Sequence, residues 1–191
     1  PAWHEPLRQC LTLWQPEALA KLRLYEGPLL SLSALFGLEA AVGEVLSRRV
    51  WLKSGGYLVI DPTEALTVID VNSGKYAGKK TAQETILRMN LEAAAGAARQ
   101  IRLRNLSGII LIDFIDMERE EQKAKLLETL RACLAKDPIR TTFVDLTKLG
   151  LAEITRRKLR PPIYEVLRRH GAGEQDGGSK EKAFKGEMNH D

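Results

Sequence analysis

Apolar residues recur at helical spacing between Ser31 and Arg49, at Leu32, Leu35, Phe36, Leu38, Ala41, Val42, Val45 and Leu46. This spacing predicts a helix that opens around Ser31–Ser33 and is weakened by Gly37 or Gly43. Residues 1–30 are weakly patterned and predict at most a helix broken by Pro16. Beyond Arg49 the period shortens. Val50-Trp51-Leu52, Tyr57-Leu58-Val59-Ile60 and Leu66 to Val71 read as three short strands. Ser54-Gly55-Gly56 is a turn signal, and Asp61-Pro62-Thr63-Glu64 interrupts the next run, with Asp61 read as a turn residue. Strands this closely spaced predict an antiparallel meander.

The pattern then changes to alternating strands and helices. Asn72 to Lys80 reads as an exposed loop, and Thr81-Ala82-Gln83-Glu84 is a capping box that opens a long helix to about Arg104. Ile109-Ile110-Leu111-Ile112 is apolar throughout, as in a strand buried on both faces of a parallel sheet. Met117 to Lys136 reads as a charged helix and Thr141-Thr142-Phe143-Val144 as another strand. A short amphipathic segment from Gly150 to Leu159 ends at Pro161-Pro162. The fold class expected is α/β with α+β character: a mixed sheet in which the meander is followed by β-α-β units. The organisation expected is a weak N-terminal segment (1–30), a domain at 31–168 and a disordered polar tail at 169–191.

Composition narrows the function classes. Of 191 residues 44% are hydrophobic, an ordinary globular figure, and the net charge of +4 permits a nucleic-acid partner without requiring one. The two cysteines, Cys10 and Cys133, are far apart in the chain and match no metal spacing. There is no secretory signal and no run of apolar residues long enough to span a membrane. These features predict a cytoplasmic protein with no membrane partner. The absence of an initiator Met predicts a fragment or a processed chain.

Candidate chemistry lies at strand ends. The crossover from the strand at 66–71 to the strand at 109–112 predicts parallel neighbours, and both end in aspartate, Asp70 and Asp113. In such sheets the active site lies beyond the carboxyl ends of the strands. Neighbouring strands lie about 4.8 Å apart, so the two carboxylates can share one divalent ion. Asn72 shares the face of Asp70 by strand periodicity, and Asp116 stands close by as a supporting carboxylate. Mg²⁺ suits a site with few protein carboxylates, several waters and a phosphate substrate. Aspartates at strand ends also serve as turn formers, and Asp61 and Asp145 end strand-like runs too, so spacing alone leaves both readings open. Lys75, Lys79 and Lys80 follow Asp70, and Arg156, Arg157 and Lys158 form a second basic cluster; a phosphate contact and a solvated face are the two readings of each. Tyr57, Tyr76 and Phe114 are candidate base-stacking residues, with core packing favoured for Phe114.

The stretch from Val50 through Ser54-Gly55-Gly56 and Asp61-Pro62-Thr63-Glu64 to Asp70-Val71-Asn72-Ser73-Gly74 closely resembles the ribonuclease E/G family. So do Asn90-Leu91-Glu92-Ala93-Ala94, Ala98 to Arg104, and Gly108 to Met117. The resemblance covers roughly residues 20–168. It is nearest to the ribonuclease G branch and to the family's DNase I-like catalytic subdomain. It implies that Asp70 and Asp113 hold one Mg²⁺, for which Mn²⁺ would substitute, and that Asn72 supports the ligand and the attacking water. The implied reaction cleaves single-stranded AU-rich RNA to 5′-phosphate and 3′-hydroxyl products, in RNA processing and decay. The family's upstream S1 and 5′-end-sensing parts have no match. Its Cys-Pro-x-Cys motif is replaced by Arg168-Arg169-His170-Gly171-Ala172-Gly173, so no zinc is expected and a homodimer would form without a zinc link. The alternative is a catalytically incomplete fragment that acts as an RNA-binding or assembly module.

Overall fold

A computed structural model describes residues 3–27, 29–74 and 82–171. The chain divides into two compact units, one ending at Glu44 and one beginning at Val45. In the first, α1 (His4–Trp14) stops one residue short of Pro16, and a 3₁₀ turn follows at Pro16–Lys21. The helix expected from Ser31 is present in two pieces, α2 (Leu32–Leu35) and α3 (Leu38–Leu46). Ser31 caps the first by accepting from the Ala34 amide at 3.1 Å. Gly37, at φ +59°, breaks the two apart. None of these elements contains a buried residue.

The second unit is built on a six-stranded sheet of order β1-β2-β3-β4-β6-β5. Its strands are β1 (Arg49–Trp51), β2 (Tyr57–Pro62), β3 (Leu66–Asn72), β4 (Gly108–Asp113), β5 (Thr141–Leu146) and β6 (Ala152–Arg156), with helices α4 (Ala82–Leu103), α5 (Glu120–Leu134) and α6 (Ile163–Gly171). The expected meander is present: β1, β2 and β3 pair antiparallel in sequence order. The expected parallel pair is present too, as β3 and β4 joined through α4. This is a mixed α/β fold.

Two expectations are corrected. Asp61 is not a turn residue: β2 runs through it, it pairs with Val68, and its carboxylate is forked by the Arg48 guanidinium at 2.6 and 2.7 Å. The segment at 150–159 contains a strand, β6, which inserts antiparallel between β4 and β5. The capping residue Thr81 and residues 172–191 lie outside the described residues.

The core occupies one face of the sheet. Leu58, Ile60, Ile69, Val71, Ile110, Ile112, Ala152 and Ile154 alternate along their strands and are buried. They pack with Ala93, Ala94, Ala97, Ala98 and Ile101 of α4 and with Leu126, Leu130 and Leu134 of α5. Alanines along α4 allow its backbone to approach the strands closely. The opposite face carries the alternate residues, among them half-buried Val59, Val68 and Leu111. Ile109 also lies there and is 50% exposed. The apolar run in β4 is therefore covered on one face by the helices and left open on the other.

Candidate functional site

The open face of the sheet gathers the residues that carry chemistry. Register places Asp70 directly beside Asp113 on the parallel pair β3–β4. The row continues across the meander through Val59, opposite Asp70, and Arg49, opposite Val59. Both carboxylates thus stand at the carboxyl ends of neighbouring strands, on the face away from the helices. Asn72, two residues along the same face, donates its side-chain amide to Asp70 Oδ2 at 2.6 Å. That bond fixes the orientation of the Asp70 carboxylate.

The electrostatics at Asp113 match a crowded acidic site. Partial desolvation pushes its carboxyl above the ordinary value, and the charges of Asp70 and Asp116 push it the same way. Asp116 is exposed and near enough to be felt. A cation placed between Asp70 and Asp113 would relieve this repulsion. Among the described residues no group of three or more His, Cys, Asp or Glu is arranged to hold a metal ion. A pair of carboxylates that leaves the remaining positions to water is the kind of donor set Mg²⁺ accepts.

Three contacts hold the frame around these carboxylates. Asn90, fully buried on α4, donates to the Ile115 carbonyl at 2.7 Å and accepts from the Ile115 amide at 3.1 Å. This two-way clasp ties the segment that follows Asp113 to the long helix. Glu92, half a turn further on, accepts from the Lys53 and Ser54 amides at 2.6 and 3.0 Å. Burial works to raise the Glu92 carboxyl, but those bonds and the charge of Arg88 outweigh it and bring it below the ordinary value. The turn so anchored packs against the end of β3: a Cβ on Gly56 would lie 2.7 Å from the Asn72 carbonyl oxygen and one on Gly74 2.5 Å from that of Gly55. Gly74 also sits at φ +62°, so both space and backbone angle select glycine there.

The basic residues divide. Lys75, Lys79 and Lys80, and Tyr76 with them, lie outside the described residues. Arg157 and Lys158 are exposed just beyond β6. Arg156 points inward, contrary to the expectation of a phosphate contact. It is 4% exposed and donates to Asp137, to Asn105 and to the Leu106 carbonyl, so each of its three guanidinium nitrogens serves the interior. Phe114 packs against the core. In the sequence Asn90 and Glu92 stand out only as part of the motif Asn90-Leu91-Glu92-Ala93-Ala94. The signal for Asn90 was its place on the same helical stripe as Ala93, Ala94, Ala97 and Ile101, where a polar side chain is buried and needs partners.

Residues 2–159 match the pattern of the Ribonuclease E/G family. The chain is 43% identical over 166 residues to Ribonuclease G of Escherichia coli strain K12, a match covering 86% of this chain and 33% of that protein. It is 44% identical over 156 residues to Ribonuclease G of Haemophilus influenzae, covering 81% of this chain and 31% of that one. It is 50% identical over 132 residues to Ribonuclease E of a Nostoc species, covering 69% of this chain and 19% of the relative. The chain thus spans about a third or less of the length of these relatives. By its matched residues and by the identity it keeps with these proteins, the chain belongs to the ribonuclease E/G family.

Proposed function

We propose that the chain carries the catalytic centre of a Mg²⁺-dependent endoribonuclease that cleaves single-stranded, AU-rich RNA to 5′-phosphate and 3′-hydroxyl products. The observation that carries this reading is the side-by-side register of Asp70 and Asp113 on the open sheet face, with Asn72 bonded to the first. The relatives' names, Ribonuclease G and Ribonuclease E, support the substrate class. Asp70 and Asp113 would hold the ion. When bound there, Mg²⁺ supplies Lewis-acid stabilisation of the phosphoryl oxygens and acidifies a bound water. Asn72 keeps Asp70 oriented and supports the attacking water through its carboxamide. Asp116 adds negative charge beside Asp113 and so strengthens the attraction for a cation. Arg157 and Lys158 remain as exposed cations for the RNA backbone, together with Lys75, Lys79 and Lys80 in the sequence.

The same reading makes the protein cytoplasmic, acting in RNA processing and decay, with no zinc on this chain and a homodimer formed without a zinc link. No helix among the described residues is long and apolar enough to cross a membrane. The second reading is an RNA-binding or assembly module without catalysis. One assay separates the two. A 5′-monophosphorylated AU-rich single-stranded RNA is incubated with the chain in Mg²⁺ or EDTA, beside Asp113→Asn. Cutting that needs Mg²⁺ and is lost in the variant is the expected result. Salt-sensitive binding without cutting selects the second reading.

A further inference from the structure

We propose that Arg49, Trp51 and Tyr57 form a base-stacking subsite that holds a nucleotide of single-stranded RNA beside the carboxylate pair; this rests on the ribonuclease reading above. Trp51 lies on the edge strand β1 and is 66% exposed. A single exposed ring calls for no occupant by itself. The position of Trp51, however, is held. Its ring meets the Tyr57 ring edge-to-face, with centroids 5.2 Å apart and planes at 60°. The Arg49 guanidinium lies 4.6 Å from the Tyr57 centroid and 5.8 Å from that of Trp51. The three side chains brace one another, and the exposed surface of Trp51 remains available.

Register sets where this cluster lies. Trp51 is opposite Tyr57, and Tyr57 is opposite Asn72. Arg49 is opposite Val59, which is opposite Asp70, which is beside Asp113. Directly opposed residues project to the same face. The cluster and the carboxylates therefore occupy two adjacent rows of one open sheet face, with β1 roughly 10 Å, or two strand spacings, from β3.

The chemistry selects the occupant. A ligand here meets a flat aromatic surface, a guanidinium and, next to them, a pair of carboxylates suited to a divalent ion. A nucleotide offers a π-face to the ring and a phosphate to the cation and the metal. Stacking on an aromatic side chain works with any base, provided the base is unpaired. The guanidinium both stacks and binds phosphate. The cluster thus explains how RNA is gripped next to two carboxylates that would otherwise repel it, and it favours single strands.

The test uses the full chain without metal, so that binding is read without cleavage. Fluorescently labelled single-stranded RNA is titrated against the parent, Trp51→Ala and Trp51→Phe, with duplex RNA as competitor. Expected are a Kd raised about ten-fold by Trp51→Ala, a Trp51→Phe value within about three-fold of the parent, and weak competition by duplex. A second reading needs no change at the subsite: with Trp3→Phe and Trp14→Phe, Trp51 is the last of the three tryptophans, and its emission should be quenched by RNA. A parent that binds and cleaves, with Trp51→Ala binding equally and Trp51 emission unmoved, overturns the subsite and leaves the ribonuclease reading intact. A parent that neither binds nor cleaves RNA overturns both.

Discussion

Asn72 donates its side-chain amide to the Asp70 carboxylate at 2.6 Å, across the single residue that separates them on β3. The pairing follows from strand geometry, because alternate side chains share a face. Its role is orientation. Asn72→Ala leaves the charge of the site unchanged but frees the Asp70 carboxylate to rotate. Groups that orient metal ligands contribute about 10–100-fold in metal affinity or activity. The expected outcome is cleavage reduced within that range, with a raised Mg²⁺ concentration for half-maximal rate. A variant with unchanged Mg²⁺ dependence would show that Asp70 is held by other contacts.

Asp70 and Asp113 stand side by side, and partial desolvation together with the charges of Asp70 and Asp116 raises the Asp113 carboxyl above its ordinary value. The arrangement is unfavourable for folding and favourable for binding a cation, as functional sites often are. Asp70→Asn or Asp113→Asn removes the repulsion while keeping the shape. Each should leave the metal-free melting temperature equal or slightly raised. Each should also lower Mg²⁺-dependent cleavage by about 10³-fold, since stabilisation by the ion is worth several kcal/mol. Melting curves and the gel assay together check this. A variant that melts lower and still cleaves contradicts the assignment.

The carboxylate pair was legible in the sequence because it depends only on two strand ends and a parallel crossover, and both are local patterns. The meander was legible for the same reason. The misread elements are those where the deciding contact is distant in sequence. Asp61 precedes Pro62, which locally favours a turn, yet Arg48 and the pairing with Val68 keep it in β2. The segment Ala152-Glu153-Ile154-Thr155-Arg156 alternates as a strand does, but its charged residues make it look like surface. Arg156 is buried only because Asp137 and Asn105, far away in sequence, converge on it. The aromatic cluster was half legible: Tyr57 was a stacking candidate, but its neighbours Arg49 and Trp51 are set by the register of β1 against β2.

Asn90 and Ile115 exchange two hydrogen bonds, and Asn90 is fully buried. Asn90→Ala deprives both backbone groups of their partner, at about 1–3 kcal/mol for each group left unsatisfied. Asn90→Asp removes the donor as well and adds a buried charge facing the Ile115 carbonyl. The expected order of stability at neutral pH is parent, then Asn90→Ala, then Asn90→Asp. Urea denaturation measures it, and an Asp variant as stable as the parent would mean that water reaches this position. Cleavage should fall in both variants, because the segment after Asp113 loses its attachment to α4.

Asp137 and Arg156 form an ion pair whose side chains are 1% and 2% exposed, with Nε to Oδ2 at 2.8 Å. Burial works to raise the Asp137 carboxyl. The hydrogen bonds from Arg156, from the Ile139 amide and from the Thr141 hydroxyl, with the charge of Arg156, outweigh it and hold the carboxyl below its ordinary value. A carboxyl depressed in the folded state adds stability above its unfolded pKa of about 3.9, and that stability is lost as the pH falls through the lower folded value. Asp137→Asn leaves Arg156 buried without its counter-charge, at about 3–5 kcal/mol. The stability gap between parent and variant should therefore be constant from neutral pH down to about pH 4 and narrow below it, as the parent protonates Asp137. Denaturant unfolding at a series of pH values reads this directly. A gap already closed at pH 6 would mean that the pair contributes no net stability near neutrality, and a gap unchanged at pH 2 would mean that the variant's cost is steric rather than electrostatic.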